Sequence, residues 1–232
     1  MAVHVFGNAC DVETIEAIAK KHNLKVIYDG AHAFGVTYKG NSLLGYGDIS
    51  MCSFHATKLF HTIEGGCLIA NDNKVSDKIE LMKRFGHNGD EHFMVGINGK
   101  ATEFQAAMGL TNLPHIQEIT EARKKVSKLY DRLLASKLER PTTREGTNYN
   151  YAYYPVIFSS EEDLLRAKDA LQKVDVYPRR YFYPSLNKLP YLGTKQYCPI
   201  SEDVSVRILC LPLYSGLEDN IVKQISEVII NA

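Results

Sequence analysis

The sequence carries no surplus of either charge: 27 Lys and Arg are balanced by 27 Asp and Glu in 232 residues. No overall field therefore draws the chain to nucleic acid or to an anionic membrane surface. Long apolar runs are missing as well, none approaching the roughly 20 residues needed to cross a bilayer. The opening MAVHVFGNACD has neither a basic n-region nor an apolar h-region, so a cytoplasmic address is expected. Close-set cysteine pairs are lacking. Cys10, Cys52, Cys67, Cys198 and Cys210 are odd in number, widely spaced and mostly in apolar contexts such as SMCSF and GGCLIA, which reads as reduced core thiols rather than a disulfide frame or zinc cluster. The eight histidines contain no HExxH, so no metal site is expected. There is no internal repeat and no low-complexity tract.

What is present is the balance of a globular protein, 45% hydrophobic and 23% charged. Asp11 can cap a helix whose apolar positions Val12, Ile15, Ile18 and Ala19 recur at helical spacing, with Asn23 where a C-cap would sit. Short apolar runs follow, KVIYD, then 49–53 and 67–70, too brief for helices and suited to buried strands. The spacing predicts helices over 72–85 and 102–113, and a long amphipathic helix over 115–138 as a bridge between lobes. Beyond it, NYNYAYYPVIF alternates like a strand, while EEDLLRAKDALQKV and LEDNIVKQISEVII read as helices. The expected architecture is α/β, with a first lobe over 1–115 and a second over 116–232.

The stretch most informative about chemistry is ISMCSFHATKLFHTIEGGCLIA, which reads as strand, lysine-bearing turn, glycine pair, strand. Lysine is seldom buried unless paired or reacting, and a desolvated neutral amine attacks aldehydes. A surface turn lysine accounts for this window equally well. Asp29 ends the preceding strand in VIYDGAHAFG, where an acid at the carboxyl end of an α/β strand can face a ligand crevice. A turn or helix-capping aspartate is the plainer reading of that residue alone. The ordered pair of acid and lysine on successive strands changes the balance.

Three successive stretches, YDGAHAFG, GDISMCSFHATKLFHTIEGGCLIAND and GINGKATEFQAAMGL, resemble the signatures of the DegT/DnrJ/EryC1/StrS sugar aminotransferases, and YFYPSLNKLPYL and ILCLPLYSGL extend the likeness over nearly the whole chain. The resemblance implies a fold type I aminotransferase: a partial large domain with a mostly parallel sheet, plus a C-terminal α+β small domain. It implies pyridoxal 5'-phosphate as cofactor, with Lys58 forming the Schiff base and shuttling a proton, and Asp29 salt-bridging the pyridinium nitrogen. By the same likeness Ala31 packs on the ring, His32 approaches its phenolic oxygen and Ser53 bonds its phosphate. Asn98 is offered across a homodimer interface to the neighbour's phosphate. Glu64, Gly65 and Gly66 shape the turn. The aromatic and basic segment holding Arg179, Arg180, Tyr181 and Tyr183 is a candidate contact for a nucleotide-sugar diphosphate or a donor carboxylate, with Arg180 and Tyr183 foremost; a solvated strand edge explains it as readily.

Two departures from the family pattern stand out. Pro184 is followed by Ser185 and Leu186 where the family often has histidine, which puts substrate contacts there in doubt. The family also has a segment ahead of the point matching MAVHVFGN, including a glycine-containing phosphate loop, so the chain reads as an N-terminally truncated fragment. The function implied is amino transfer from glutamate to a keto nucleotide sugar, for amino-sugar, lipopolysaccharide or O-antigen synthesis. Two other readings stay open: a cofactor-free, catalytically incomplete fragment, and a sugar dehydratase relative, which in this family carries histidine in place of Lys58.

Overall fold

The computed structural model describes residues 1–193 and 196–232. Its chain divides into two compact units, one of Met1–Glu118 with Thr143–Ala152, the other of Ile119–Thr142 with Tyr153–Ala232. The segment 143–152, which a boundary at 115/116 assigns to the C-terminal lobe, lies with the first unit.

In the first unit, β1 (Ala2–Val3), β2 (Ile27–Asp29), β3 (Ile49–Ser53) and β4 (Gly66–Ala70) form one sheet in that order. β1 and β2 are parallel, β2 and β3 are parallel, and β4 returns antiparallel to β3. Helix α1 (Val12–His22) connects β1 to β2, as a parallel crossover requires. The Asp11 carboxylate accepts the Thr14 N–H at its start, and Asn23 ends it in the left-handed conformation. The apolar side chains Ala9, Val12, Tyr28, Ala33, Val36, Tyr38 and Leu43 form the core here. Helices α2 (Asn73–Lys83) and α3 (Glu103–Asn112) follow, the first capped by Asp72, the second by a Thr102–Gln105 capping box.

Helix α4 (Ile116–Leu134) begins directly after a 3₁₀ turn containing Pro114. Its apolar stripe, Val126, Leu129, Tyr130 and Leu134, enters the core of the second unit. That core also takes Leu164 and Leu171 from α5 (Glu161–Gln172) and Val222, Ile225 and Ile229 from α7 (Asp219–Asn231). Between them β5 (Tyr154–Ile157) pairs antiparallel with β6 (Ile208–Leu211), which follows α6 (Pro199–Arg207).

The alternating run 148–158 is not one strand. Thr147–Asn148 pairs with Thr37–Tyr38, and β5 starts only at Tyr154. Between them the Asn150 amide donates to the carbonyls of His32 and Phe34, both at 2.9 Å, its Oδ1 accepts the Ala152 N–H, and Tyr151 takes φ 54°. A side chain occupied by backbone groups of other segments leaves that stretch outside any ladder.

Candidate active site

Asp29 and Ser53 are the last residues of two adjacent parallel strands, the end of an α/β sheet where ligands bind. Asp29 is in register with Met51, so Ser53, two residues on, projects from the same face as Asp29. The chain then enters the turn that carries Lys58. Hydrogen bonds within the turn hold it: Phe54 N–H to Gly65 O at 2.8 Å, Lys58 N–H to His55 O at 2.9 Å, Thr62 N–H to Phe54 O at 2.9 Å. Gly65 has φ +145°, and a Cβ there would stand 2.5 Å from Thr62 Oγ1, so the turn depends on glycine at this point. Phe34 stacks on Phe60 with ring centroids 4.4 Å apart, and Phe54 meets Phe60 edge-on at 5.0 Å. An apolar wall thus flanks the lysine turn.

Among the described residues neither Lys58 nor Asp29 has a salt-bridge partner, although both are partly buried. The Asp29 carboxylate accepts one hydrogen bond, from Ala31 N–H at 2.9 Å. Both charges bear on the Cys52 thiol. Burial pushes the Cys52 thiol up to about 12; nearby Cys67 adds to this, the Lys58 ammonium opposes it, and Asp29 raises it further. Burial holds His32 down at about 3, with Lys58 pushing in the same direction. His32 is therefore neutral. Its Nδ1 accepts the Phe6 N–H at 3.0 Å, which places the ring proton on Nε2 as a donor. His4, fully buried and stacked on Tyr28 at 4.6 Å, is lowered to about 4 by burial, opposed by the Asp29 charge.

Ser53 Oγ accepts the His55 N–H at 3.3 Å, which leaves its hydroxyl proton to donate elsewhere. Asn98 sits on an exposed loop, bridged through its backbone to Arg84, and no hydrogen bond among the described residues links it to Asp29, Ser53 or Lys58. Arg180 belongs to the second unit. It donates to Glu161 at 2.7 Å and to the Val206 carbonyl at 3.1 Å, and its guanidinium lies 3.6 Å from the Tyr183 ring centroid. Arg179 stacks likewise over Tyr181 at 4.3 Å.

Two features escaped the reading of the sequence. One is the Phe34–Phe54–Phe60 wall, which joins residues from different strand ends. The other is a cleft of about 540 Å³ lined by Lys83, Arg84, Phe85, His87 and Lys100 among others. Lys83 and Arg84 both pair with Glu80, at 2.6 and 2.7 Å, while Lys100 rests 5.0 Å from the Phe85 ring centroid. Its cations are scattered across a helix end and a loop, and nothing in their spacing signals a shared cleft.

The profile of the DegT/DnrJ/EryC1/StrS aminotransferase family matches residues 1–230. A dTDP-4-amino-4,6-dideoxy-D-glucose transaminase of Shigella dysenteriae is 36% identical over 235 residues, covering 97% of this chain and 64% of its own. A GDP-perosamine synthase of Vibrio cholerae is 30% identical, covering 100% of this chain and 65% of its own. Among solved structures, DesI in the presence of its TDP-sugar product superposes with a TM-score of 0.90 at 27% identity, covering 98% of this chain and 60% of that one. The chain thus spans about 64% of the length of the curated relatives it matches.

Proposed function

Because the chain belongs to the DegT/DnrJ/EryC1/StrS aminotransferase family, we propose that it is the lysine-bearing part of a pyridoxal-phosphate-dependent enzyme that transfers an amino group from glutamate to a keto nucleotide sugar. Its α/β architecture is the fold type I arrangement of its structural neighbours. The observation that carries the reading is a carboxylate at the end of β2 and an amine in the turn that follows β3, each without a salt-bridge partner among the described residues and both bearing on the buried Cys52 thiol. An unpaired, partly buried charge destabilises the fold, so two in one place suit a ligand that pairs with both.

The residues fit the cofactor on their own geometry. The Asp29 carboxylate has capacity for a cationic ring nitrogen beyond its single Ala31 N–H, His32 Nε2–H is a donor for an anionic ring oxygen, and the Ser53 hydroxyl is a donor for phosphate. Ala31 is small enough to leave the approach of a flat ring clear. When bound, the cofactor supplies an electron sink for the substrate carbon that loses its proton. Asp29 keeps the ring nitrogen protonated, and Lys58 Nζ carries the proton to and from that carbon. His32 stays neutral throughout, because burial and the lysine charge both oppose its protonation.

Relatives named dTDP-4-amino-4,6-dideoxy-D-glucose transaminase and GDP-perosamine synthase favour a dTDP- or GDP-linked 4-keto-6-deoxyhexose as acceptor, in cytoplasmic synthesis of lipopolysaccharide or O-antigen sugars. Val95, Ile97, Phe104 and Leu110 are 70–91% exposed, an apolar surface in keeping with a homodimer that brings Asn98 to the neighbouring site.

Adding pyridoxal phosphate to the purified chain tests the reading. A visible absorption band that borohydride removes, with the reduced adduct mapped by mass spectrometry to Lys58 and absent in Lys58→Ala, is the expected result. An adduct on another lysine, or no band at all, would remove the site assignment and leave the cofactor-free reading.

A further inference from the structure

Cys52 and Cys67 are partners in register across the antiparallel β3–β4 ladder, so both project from one face of the sheet. The bond from Phe54 N–H to Gly65 O, two rungs away, fixes the alternation and places the cysteines at a hydrogen-bonded position, where Cα atoms lie about 5.5 Å apart. That separation is inside the roughly 4.4–6.8 Å over which a disulfide can close. Both thiols are free; Cys52 is buried, whereas Cys67 is exposed on the edge strand of the sheet. The segment between them, 53–66, is the lysine turn together with Ser53, so the pair stands at the neck of the loop that presents Lys58.

We infer that Cys52 and Cys67 are a reversible redox pair, whose disulfide clamps the neck of the lysine turn and shifts Ser53 and Lys58. Cysteines at a hydrogen-bonded position have Cβ atoms toward the wide end of about 4.5–5.5 Å, against a mean near 3.8 Å in a disulfide. Closure must therefore draw the strands together. Gly66, next to Cys67, has no side chain to oppose this: a Cβ there would stand 2.7 Å from Cys52 O. A disulfide closed under strain is easily reduced, the property of a switch rather than of a structural bridge. Cys52 points away from the face that bears Ser53 and Asp29, so the effect reaches the site through the backbone. Burial raises both thiols, which makes the reaction slow at neutral pH, and joining two thiols takes a two-electron oxidant. With a small disulfide such as oxidised glutathione, the exposed Cys67 thiolate attacks one sulfur and releases one glutathione. The Cys52 thiolate then attacks the Cys67 sulfur of the mixed disulfide and releases the second. The protein gives up two electrons and two protons, which leave in the two glutathione thiols.

The bridge itself stands independently of the aminotransferase reading; only its consequence for the cofactor rests on that reading. The reduced chain is incubated with oxidised glutathione at mildly alkaline pH, digested without reductant and mapped by mass spectrometry. The expected product is a peptide pair joined through Cys52 and Cys67, reversed by dithiothreitol and lost in Cys67→Ser and in Cys52→Ala. Glutathione retained on Cys67 with no bridge, or linkage to Cys10, Cys198 or Cys210 instead, overturns the pair. Hydrogen–deuterium exchange over 54–65 must change on oxidation in the parent chain and not in Cys67→Ser; an unchanged turn overturns the switch. Where the reduced chain gives a cofactor band, that band must be lost on oxidation and return with reductant. Absence of any band from the reduced chain counts against the aminotransferase reading and leaves the mapping and exchange results to decide the redox pair.

Discussion

The lysine turn of the first unit and the aromatic, basic Arg179–Tyr183 segment of the second are both candidate ligand contacts by sequence, and the structure treats their charges in opposite ways. Arg180, whose side chain is 15% exposed, is answered by Glu161 at 2.7 Å, by the Val206 carbonyl and by the Tyr183 ring. Lys58 and Asp29, partly buried, have no ion-pair partner among the described residues. A paired and stacked arginine is explained by the fold that holds it. A carboxylate at a strand end and an amine in the next turn, neither with an ion-pair partner among the described residues, are not explained by the fold, and so point to a ligand.

The sharpest way to break this comparison is Asp29→Asn. The amide oxygen can still accept the Ala31 N–H that Asp29 holds at 2.9 Å, so the thermal midpoint should move little. Loss of the negative charge should slow the glutamate half-reaction by roughly 10²–10³-fold, the usual cost of deleting one preorganised electrostatic contact. The absorbance change of the cofactor in single turnover measures it. An Asn variant as fast as the parent would make Asp29 an ordinary turn residue.

Arg180→Ala tests the other side. Removing a charged hydrogen-bonding partner costs about 1–3 kcal/mol, discounted here because Glu161 is 41% exposed and solvent screens it. A denaturant midpoint lower by an amount equivalent to about 1–2 kcal/mol is expected, with the cofactor band at Lys58 intact. Should stability hold while affinity for the nucleotide sugar collapses, the segment would belong with the substrate contacts that the family likeness first suggested.

Much of the first unit's scaffold was legible from local chemistry. The Asp11 cap and Asn23 terminus bracket α1, ISMCS is β3, and the glycine pair turns the chain where φ +145° at Gly65 demands it. What escaped notice depends on partners distant along the chain. Asn150 looked like one position in an alternating strand, but its amide is committed to the carbonyls of His32 and Phe34, and local periodicity carries no information about such a bond. The same bond helps explain why 143–152 lies with the first unit. At the site, Asp29 and Lys58 were visible through order and spacing, whereas the Phe34–Phe54–Phe60 wall and the register that opposes Cys52 to Cys67 required strand pairing to be known.

At neutral pH the effect of the histidines beneath the site vanishes, and it emerges only on acidification. His32 at about 3 and His4 at about 4 are both held neutral chiefly by burial, against about 6.5 in an unfolded chain. Between the folded and unfolded values the unfolded state binds more protons, so stability rises with pH through that window and is level above about 6.5. On acidification from pH 6.5, each histidine should weaken the fold by at most about 1.4 kcal/mol per pH unit. Urea midpoints at pH 6.5, 5.5 and 5.0 for the parent and for His32→Gln measure the share of one ring. The glutamine can still accept the Phe6 N–H that His32 Nδ1 holds at 3.0 Å, so the variant should lose part of the acid sensitivity while keeping the turn beside Lys58. Equal slopes for the two proteins would mean that His32 takes up its proton without unfolding, with enough space beside the lysine for a second positive charge. The contrast between paired and unpaired charges would then no longer single out the lysine turn.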